Sequence, residues 1–84
     1  KKGRETFFKN LLEIKTRPIV IYEAPHRIKK ALIQLSVALG TEAEIIVGRE
    51  LTKLHEEIFK GNLRLAQEYF KSEREKGEFV LIIP

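Results

Sequence analysis

The 84 residues suffice for one small domain, and a composition of 43% apolar and 33% charged residues is typical of a soluble globular chain rather than a disordered one. The absence of cysteine excludes a disulfide framework and a thiolate metal site, and leaves the cytoplasm as the default compartment. The net charge of +4 permits an anionic partner without indicating nucleic acid by itself, and no apolar run approaches the roughly 20 residues of a membrane helix.

The first half of the chain predicts a helix, a strand and a second helix. Apolar residues within 5–15 recur near helical spacing, and Pro18 ends that helix because it disfavours helical angles in the residue before it. The run 19–22, "IVIY", is β-branched and aromatic without alternation, which predicts a strand buried on both faces. Residues 25–39 carry an i, i+3, i+4, i+7 pattern after a first-turn proline, and Gly40 supplies the stop.

The second half predicts two strands, a helix and a last strand. Residues 44–48 indicate a short buried strand, "RELTK" a loop, and "EEIFKG" a short strand that ends at Gly61. Asn62 is a good N-cap for a helix over 63–74, whose buried stripe would be Leu63, Ala66, Tyr69 and Phe70. A turn at Lys76-Gly77 then precedes the final strand, "EFVLIIP".

The element order α-β-α-β-β-α-β predicts an α/β fold. We expect a layered mixed sheet of about four strands with helices packed on it, and at least one parallel βαβ unit. The chain opens inside a predicted helix and closes on a predicted strand, so we expect residues 1–84 to be a single, partial domain of a longer protein.

Polar side chains follow the first two predicted strands, at the point where each strand ends. "YEAPHR" occupies 22–27 and "RELTK" occupies 49–53. In open α/β sheets ligands bind outside the carboxyl ends of the strands. If the two strands are neighbours, two carboxylates, an imidazole and three cations converge on one edge, beside the positive end of the helix that starts near Pro25. Such an edge suits an anionic or polar ligand.

Each of these polar residues also has a structural interpretation. Glu23 and Glu50 would equally serve to pair with Arg27 and Arg49 or to cap a helix start. His26 fits an exposed first-turn residue, and a single histidine is weak support for catalysis.

Other candidate groups carry less weight. Lys29 and Lys30 lie on the polar face of an amphipathic helix, where solvent is the ordinary partner. His55 stands beside two glutamates but lacks the second histidine of an H-E-x-x-H helix, so we predict no metal site. Tyr69 and Phe70 have the spacing of core residues more than of a base-stacking platform.

Three stretches of the sequence, two of which contain long motifs, carry a resemblance to a known family. "IVIYEAPHRIKKAL", then "VGRELTKLHEEIFKGNL" and then "KGEFVLIIP" resemble the ribosomal small-subunit (16S) RNA 2′-O-ribose cytidine methyltransferases, which belong to the tetrapyrrole methylase superfamily. The patterns Y-E-[SA]-P-H-R and R-E-L-T-K-x-x-E-E occur in the family's order and spacing, and the resemblance covers nearly all of residues 6–83.

The resemblance implies an architecture and a cofactor. Family members have two α/β domains that hold S-adenosylmethionine between them, so this chain corresponds to most of the C-terminal domain, without the N-terminal domain and its cofactor loops. Cobalamin-type relatives often have Met-Gly after the tyrosine, and Glu23-Ala24 here marks the RNA-directed branch, although Ala24 replaces its commoner serine. The resemblance implies that three segments line the superfamily's cofactor pocket. They are the loop that matches Tyr22, Glu23 and Ala24, the start of the loop that matches Arg49, Glu50, Leu51 and Thr52, and the last strand near Gly77, Glu78 and Phe79.

The resemblance also implies a reaction and partners. A methyl group would pass to the ribose 2′-hydroxyl of a cytidine in 16S ribosomal RNA, with Glu23, His26 or Glu50 as the general base, a choice that the residues leave open. The implied partners are this RNA or the small ribosomal subunit, the N-terminal domain and a second copy in a homodimer, with no membrane. Phosphates would be bound by Arg27, Lys29, Lys30, Arg49 and Lys53.

With half of the cleft missing, we expect the 84 residues alone to be inactive. Two alternatives stay open at this point. One is a non-catalytic RNA- or nucleotide-binding α/β module, and the other is a tetrapyrrole methylase that acts on a small molecule or a protein side chain. Gly-rich cofactor loops upstream of the chain would favour the enzyme.

Overall fold

The computed structural model describes residues 2–50, 56–71 and 77–84, with side chains from residue 6 onward. The predicted order of helices and strands is confirmed in these ranges. The elements are α1 (Lys2–Lys9), a 3₁₀ turn (Leu11–Glu13), β1 (Ile19–Glu23), a second 3₁₀ turn (Pro25–Arg27), α2 (Ile28–Leu39), β2 (Glu44–Arg49), β3 (Glu57–Asn62), α3 (Leu63–Phe70) and β4 (Phe79–Ile83).

The four strands form one sheet in the order β1-β4-β2-β3. The α/β class and the strand number are confirmed, but the expected parallel pairing is not, because every neighbouring pair is antiparallel. The last strand inserts between β1 and β2, a long-range pairing that no local pattern encodes. Since β1 and β2 are both antiparallel to β4, they still run in the same direction, and their carboxyl ends lie at the same edge of the sheet.

The helices cover one face of the sheet. Ile19 and Ile21 of β1 join the core, whereas Val20 is 48% exposed and Tyr22 is 79% exposed. The prediction that this strand is buried on both faces is therefore wrong for this chain, and the strand alternates like that of an ordinary two-layer sheet. The largest fully buried side chains are Leu11, Ile28, Leu32, Leu35, Ile45, Val47, Leu63, Phe70 and Leu81.

Local signals set the ends of the helices correctly at two places. Gly40 ends α2 with a φ of 94°, and its N–H donates to the carbonyl of Ser36 at 2.8 Å. The Asn62 side chain caps α3 by accepting the N–H of Leu65 at 2.8 Å. The first predicted helix is shorter than expected, because α1 ends at Lys9 and gives way to the 3₁₀ turn.

In the ranges that the structure covers, no helix combines the length and the apolar character required to cross a bilayer.

Candidate active site

One edge of the sheet, called the rim below, gathers the ends of β1 and β2 and the starts of β4 and β3. In the register Glu23 lies opposite Phe79, Phe79 also lies opposite Arg49, and Arg49 lies opposite Glu57. Residues that face each other across strands share a side of the sheet, so these four form a row on the helix-covered face. With strands about 4.8 Å apart, the row is about 14 Å long.

The rim brings together three segments that are far apart in the sequence. They are 22–24 at the end of β1, 49–50 at the end of β2 and 77–79 at the start of β4. The sequence assigned the first two to one edge on the condition that β1 and β2 are neighbours. They are not neighbours, yet their common direction gives the same result. Leu51, Thr52 and Lys53, which were also predicted to be site residues, lie outside the described residues.

Tyr22 and Glu23 point to opposite faces of the sheet. The Glu23 side chain continues the inward positions of β1 and is only 5% exposed, an uncommon location for a carboxylate. The backbone N–H of Ala24 donates to its Oε1 at 3.3 Å. Tyr22 lies on the face that the described helices leave open. The first motif therefore offers a buried carboxylate on one side and an exposed phenol on the other.

The second part of that motif forms a 3₁₀ turn instead of the first turn of an α-helix. The Arg27 N–H donates to the Ala24 carbonyl at 3.0 Å, and α2 begins only at Ile28. His26 is exposed in this turn, and Arg27 is half-buried. Lys29 and Lys30 follow on the exposed side of the first turn of α2, as the amphipathic pattern predicted.

Glu50 connects the end of β2 to the start of β4. Its N–H donates to the Glu78 carbonyl at 2.9 Å, and its Oε2 accepts the Glu78 N–H at 2.8 Å. Glu50 has a φ of 53°, which is unusual for a residue with a side chain. Its carboxylate lies directly over Gly77, where a Cβ would be 1.8 Å from Oε2. The sequence identified Gly77 as a turn but gave no sign of this contact.

Arg49 contacts Glu57 on one neighbouring strand and Phe79 on the other. Its Nη1 donates to Glu57 Oε1 at 3.1 Å, and its guanidinium carbon lies 5.4 Å from the centre of the Phe79 ring. The hydroxyl of Tyr69, from α3, donates to the other carboxylate oxygen of Glu57. The Arg49 side chain is 13% exposed. Its predicted contact with RNA phosphates stays a prediction.

Sequence reasoning missed Glu57 and placed Tyr69 in the core. Tyr69 is 44% exposed, and its ring packs on Phe59 with centroids 5.0 Å apart. The buried stripe of α3 consists of Leu63, Ala66 and Phe70. Glu57 belongs to the R-E-L-T-K-x-x-E-E pattern, which was the one signal that could have drawn attention to it, whereas nothing in the sequence pairs it with Tyr69.

Curated relatives match the chain over most of its length. Proteins named ribosomal RNA small subunit methyltransferase I are 48% identical over 67 residues in Synechocystis sp., 34% over 84 residues in Hydrogenobaculum sp. and 39% over 72 residues in Bacillus subtilis. These alignments cover 80%, 99% and 86% of this chain. No family model matches the chain. The similarity confirms the resemblance that the two motifs indicated.

The chain spans only part of each of these relatives. It covers 24% of the Synechocystis protein, 36% of the Hydrogenobaculum protein and 24% of the Bacillus protein.

Proposed function

We propose that this chain belongs to the ribosomal RNA small subunit methyltransferase I family and forms most of the C-terminal domain of a longer enzyme. That enzyme would use S-adenosylmethionine to methylate the ribose 2′-hydroxyl of a cytidine in 16S ribosomal RNA, in the cytoplasm and as a homodimer. One observation carries the proposal. The three segments that the resemblance assigns to the cofactor pocket, 22–24, 49–50 and 77–79, meet at a single rim of the sheet.

The rim has groups that suit one wall of a cofactor cleft. S-adenosylmethionine supplies an electrophilic methyl group when bound. On the protein side, Tyr22 offers an exposed aromatic ring, and Glu78 offers an exposed carboxylate that is able to accept hydrogen bonds from ribose hydroxyls or amino groups. Ala24 adds backbone with little side chain in front of it, whereas Gly77 makes room for the Glu50 carboxylate. The second wall would come from the N-terminal domain, so the chain alone would be inactive.

The positions of the three candidate bases favour His26. The carboxylate of Glu50 is engaged with the Glu78 N–H, which supports a role in shaping the wall. The carboxylate of Glu23 is buried on the helix-covered face. His26 is exposed on the 3₁₀ turn that follows Glu23 and Ala24, and imidazole is the side chain most often used as a general base. In this assignment His26 removes the proton of the attacking hydroxyl, while Glu23 and Glu50 hold the wall.

Cations beside His26 support an RNA substrate. Arg27, Lys29 and Lys30 follow it within one turn of backbone, and both lysines are exposed. Lysine and arginine at these positions would neutralise phosphates and position the ribose, and binding would weaken as salt rises.

The test uses the full-length protein and the 84-residue chain side by side. Calorimetry measures binding of S-adenosylmethionine, and small ribosomal subunits that lack the modification serve as methyl acceptors, with the product mapped by its resistance to alkaline hydrolysis. We expect the full-length protein to bind and to methylate, and the chain alone to do neither. RNA binding without cofactor binding by the full-length protein would support the non-catalytic module. Methylation of a tetrapyrrole in place of RNA would support the small-molecule enzyme.

A pair of histidine variants tests the assignment of the base. His26→Ala should lower kcat by about 10²- to 10⁴-fold and leave the Kd for S-adenosylmethionine unchanged, because the loss concerns proton transfer alone. His55→Ala, which removes the other histidine of the chain, is the matched control and should retain activity. A His26→Ala enzyme with the wild-type kcat would return the role to Glu23 or Glu50.

A further inference from the structure

A closed ring of contacts joins α3 to three strands beside the rim. Tyr69 donates to Glu57, Glu57 pairs with Arg49, and the guanidinium of Arg49 lies 5.4 Å from the Phe79 ring centre. Phe79 packs edge-to-face on Phe70 at 5.7 Å, and Phe70 packs on Tyr69 at 4.8 Å, which closes the ring. These five residues are called the clamp below.

The clamp is held more firmly than a surface ion pair. Two of its three aromatic members, Phe70 and Phe79, are 2% and 3% exposed, and Tyr69 is 44% exposed. The paired side chains of Arg49 and Glu57 are 13% and 30% exposed. Partial burial and an aromatic neighbour strengthen a charged hydrogen bond relative to one in water. At the opposite edge of the sheet, the Arg64–Glu42 pair has the same chemistry, but its side chains are 59% and 71% exposed.

The clamp acts on the proposed cofactor wall through the chain itself. Arg49 directly precedes Glu50, and Phe79 directly follows Glu78. Glu50 and Glu78 exchange two hydrogen bonds, so fixing Arg49 against Phe79 also fixes this pair. Misplacement of a binding group by about 1 Å is able to lower a rate by about 100-fold. The clamp therefore matters for activity, because it fixes the positions of Glu50 and Glu78 in the wall.

We propose that Glu57 and Tyr69 are positioning residues, which act through Arg49 and Phe79 to hold the wall formed by Glu50 and Gly77-Glu78 in its binding geometry. The proposal rests on the proposed function. In this proposal Arg49 has a structural role within the site: it links Glu57 and Tyr69 to Phe79 and so to the wall.

The first test changes one polar group of the clamp at a time in the full-length protein. Tyr69→Phe deletes the hydroxyl and keeps the ring, and Arg49→Lys keeps the charge but loses the planar fork. We expect each to raise the Kd for S-adenosylmethionine about tenfold, the equivalent of one lost hydrogen bond. The double variant should also raise the Kd by only about tenfold in total, because both changes interrupt the same chain of contacts from Tyr69 through Arg49 to the wall. Glu57→Gln is the second variant should Tyr69→Phe fold poorly.

The second test does not involve the cofactor. Hydrogen exchange of the backbone amides of Glu50 and Glu78 is measured in the cofactor-free protein, and the clamp variants should speed it about tenfold. Arg64→Lys is the matched control and should leave exchange and Kd unchanged. Leu35→Val, in the core away from the rim, controls for lost stability, and should lower Tm without altering Kd.

Each outcome decides the proposal. Clamp variants that lower Tm as Leu35→Val does, while Kd and amide exchange keep their wild-type values, would show a merely structural role. Additive effects of Tyr69→Phe and Arg49→Lys would show that the tyrosine does not act through the arginine. Failure of the wild-type protein to bind S-adenosylmethionine would overturn the proposed function, and faster exchange at Glu78 in the variants would still show that the clamp holds this segment.

Discussion

Replacing Gly77 by alanine places a methyl group where the Glu50 side chain lies. The new Cβ would be 1.8 Å from Oε2 and 2.5 Å from Cγ of Glu50, far inside the van der Waals limit. Gly77 also has a φ of 80°, which strains any residue with a side chain. The Glu50 carboxylate must therefore move away, and it gives up its hydrogen bond to the Glu78 N–H.

The two effects have separable magnitudes. An L-residue in such a backbone conformation costs roughly 1–3 kcal/mol. The hydrogen bond from the Glu78 N–H to the Glu50 carboxylate contributes about 1.5 kcal/mol, the lower end for a charged acceptor because the bond is exposed. We therefore expect Gly77→Ala to lower the free energy of unfolding by about 3 kcal/mol, with about 1.5 kcal/mol of it dependent on Glu50.

A double-mutant cycle isolates the part that depends on Glu50. Urea unfolding of the 84-residue chain, followed by circular dichroism, is measured for Gly77→Ala with and without Glu50→Ala. In the Glu50→Ala background only backbone strain remains. Gly77→Ala should therefore lower the free energy of unfolding by about 1.5 kcal/mol less there than in the wild-type background. Gly40→Ala is the matched control, because Gly40 has a φ of 94° and no atom lies within 4 Å of the position that an added methyl group would take.

The control variant should show the same cost with and without Glu50→Ala, within about 0.5 kcal/mol. If Gly77→Ala were equally costly in both backgrounds, the Glu50 side chain would not lie over Gly77, and the description of this wall would be wrong.

Three further predictions concern the helix cap, the core and the basic patch. Asn62→Ala removes the acceptor for the Leu65 N–H and should destabilise the chain by about 1 kcal/mol in urea unfolding, whereas Asn62→Ser keeps an oxygen that accepts this N–H and should retain most of the stability. Both variants lose the hydrogen bond from Asn62 Nδ2 to Glu42, so the difference between them reports the cap alone. Leu35→Ala empties a fully buried site and should cost about 2–5 kcal/mol, against less than about 1.5 kcal/mol for Leu35→Met. In the full-length protein, Lys30→Ala should reduce the slope of log K for RNA binding against log salt by about 0.7–0.9, and Lys60→Ala, on the far side of the sheet, should leave it unchanged.

The candidate site was predicted in part because its motifs are contiguous in the sequence. "YEAPHR" and "RELTK" follow strands, and the rule for strand ends placed them at one edge of the sheet. The prediction assumed that the two strands are neighbours, which is wrong because β4 lies between them. The two strand ends still share one edge because β1 and β2 run in the same direction. The contact between Tyr69 and Glu57 was not predictable, since it joins a helix and a strand 12 residues apart through side chains with no shared pattern.

The sequence alone predicted the order of the helices and strands, the end of α2 and the start of α3. Gly40 and Asn62 act on the few residues next to them, so their effects on α2 and α3 follow from local neighbours. Three features emerged only in the assembled fold: β4 lies between β1 and β2, the described helices leave one face of β1 open, and the Glu50 carboxylate lies over Gly77. These features depend on which distant surfaces bury each other, and burial is a property of the packed layers rather than of any stretch of residues.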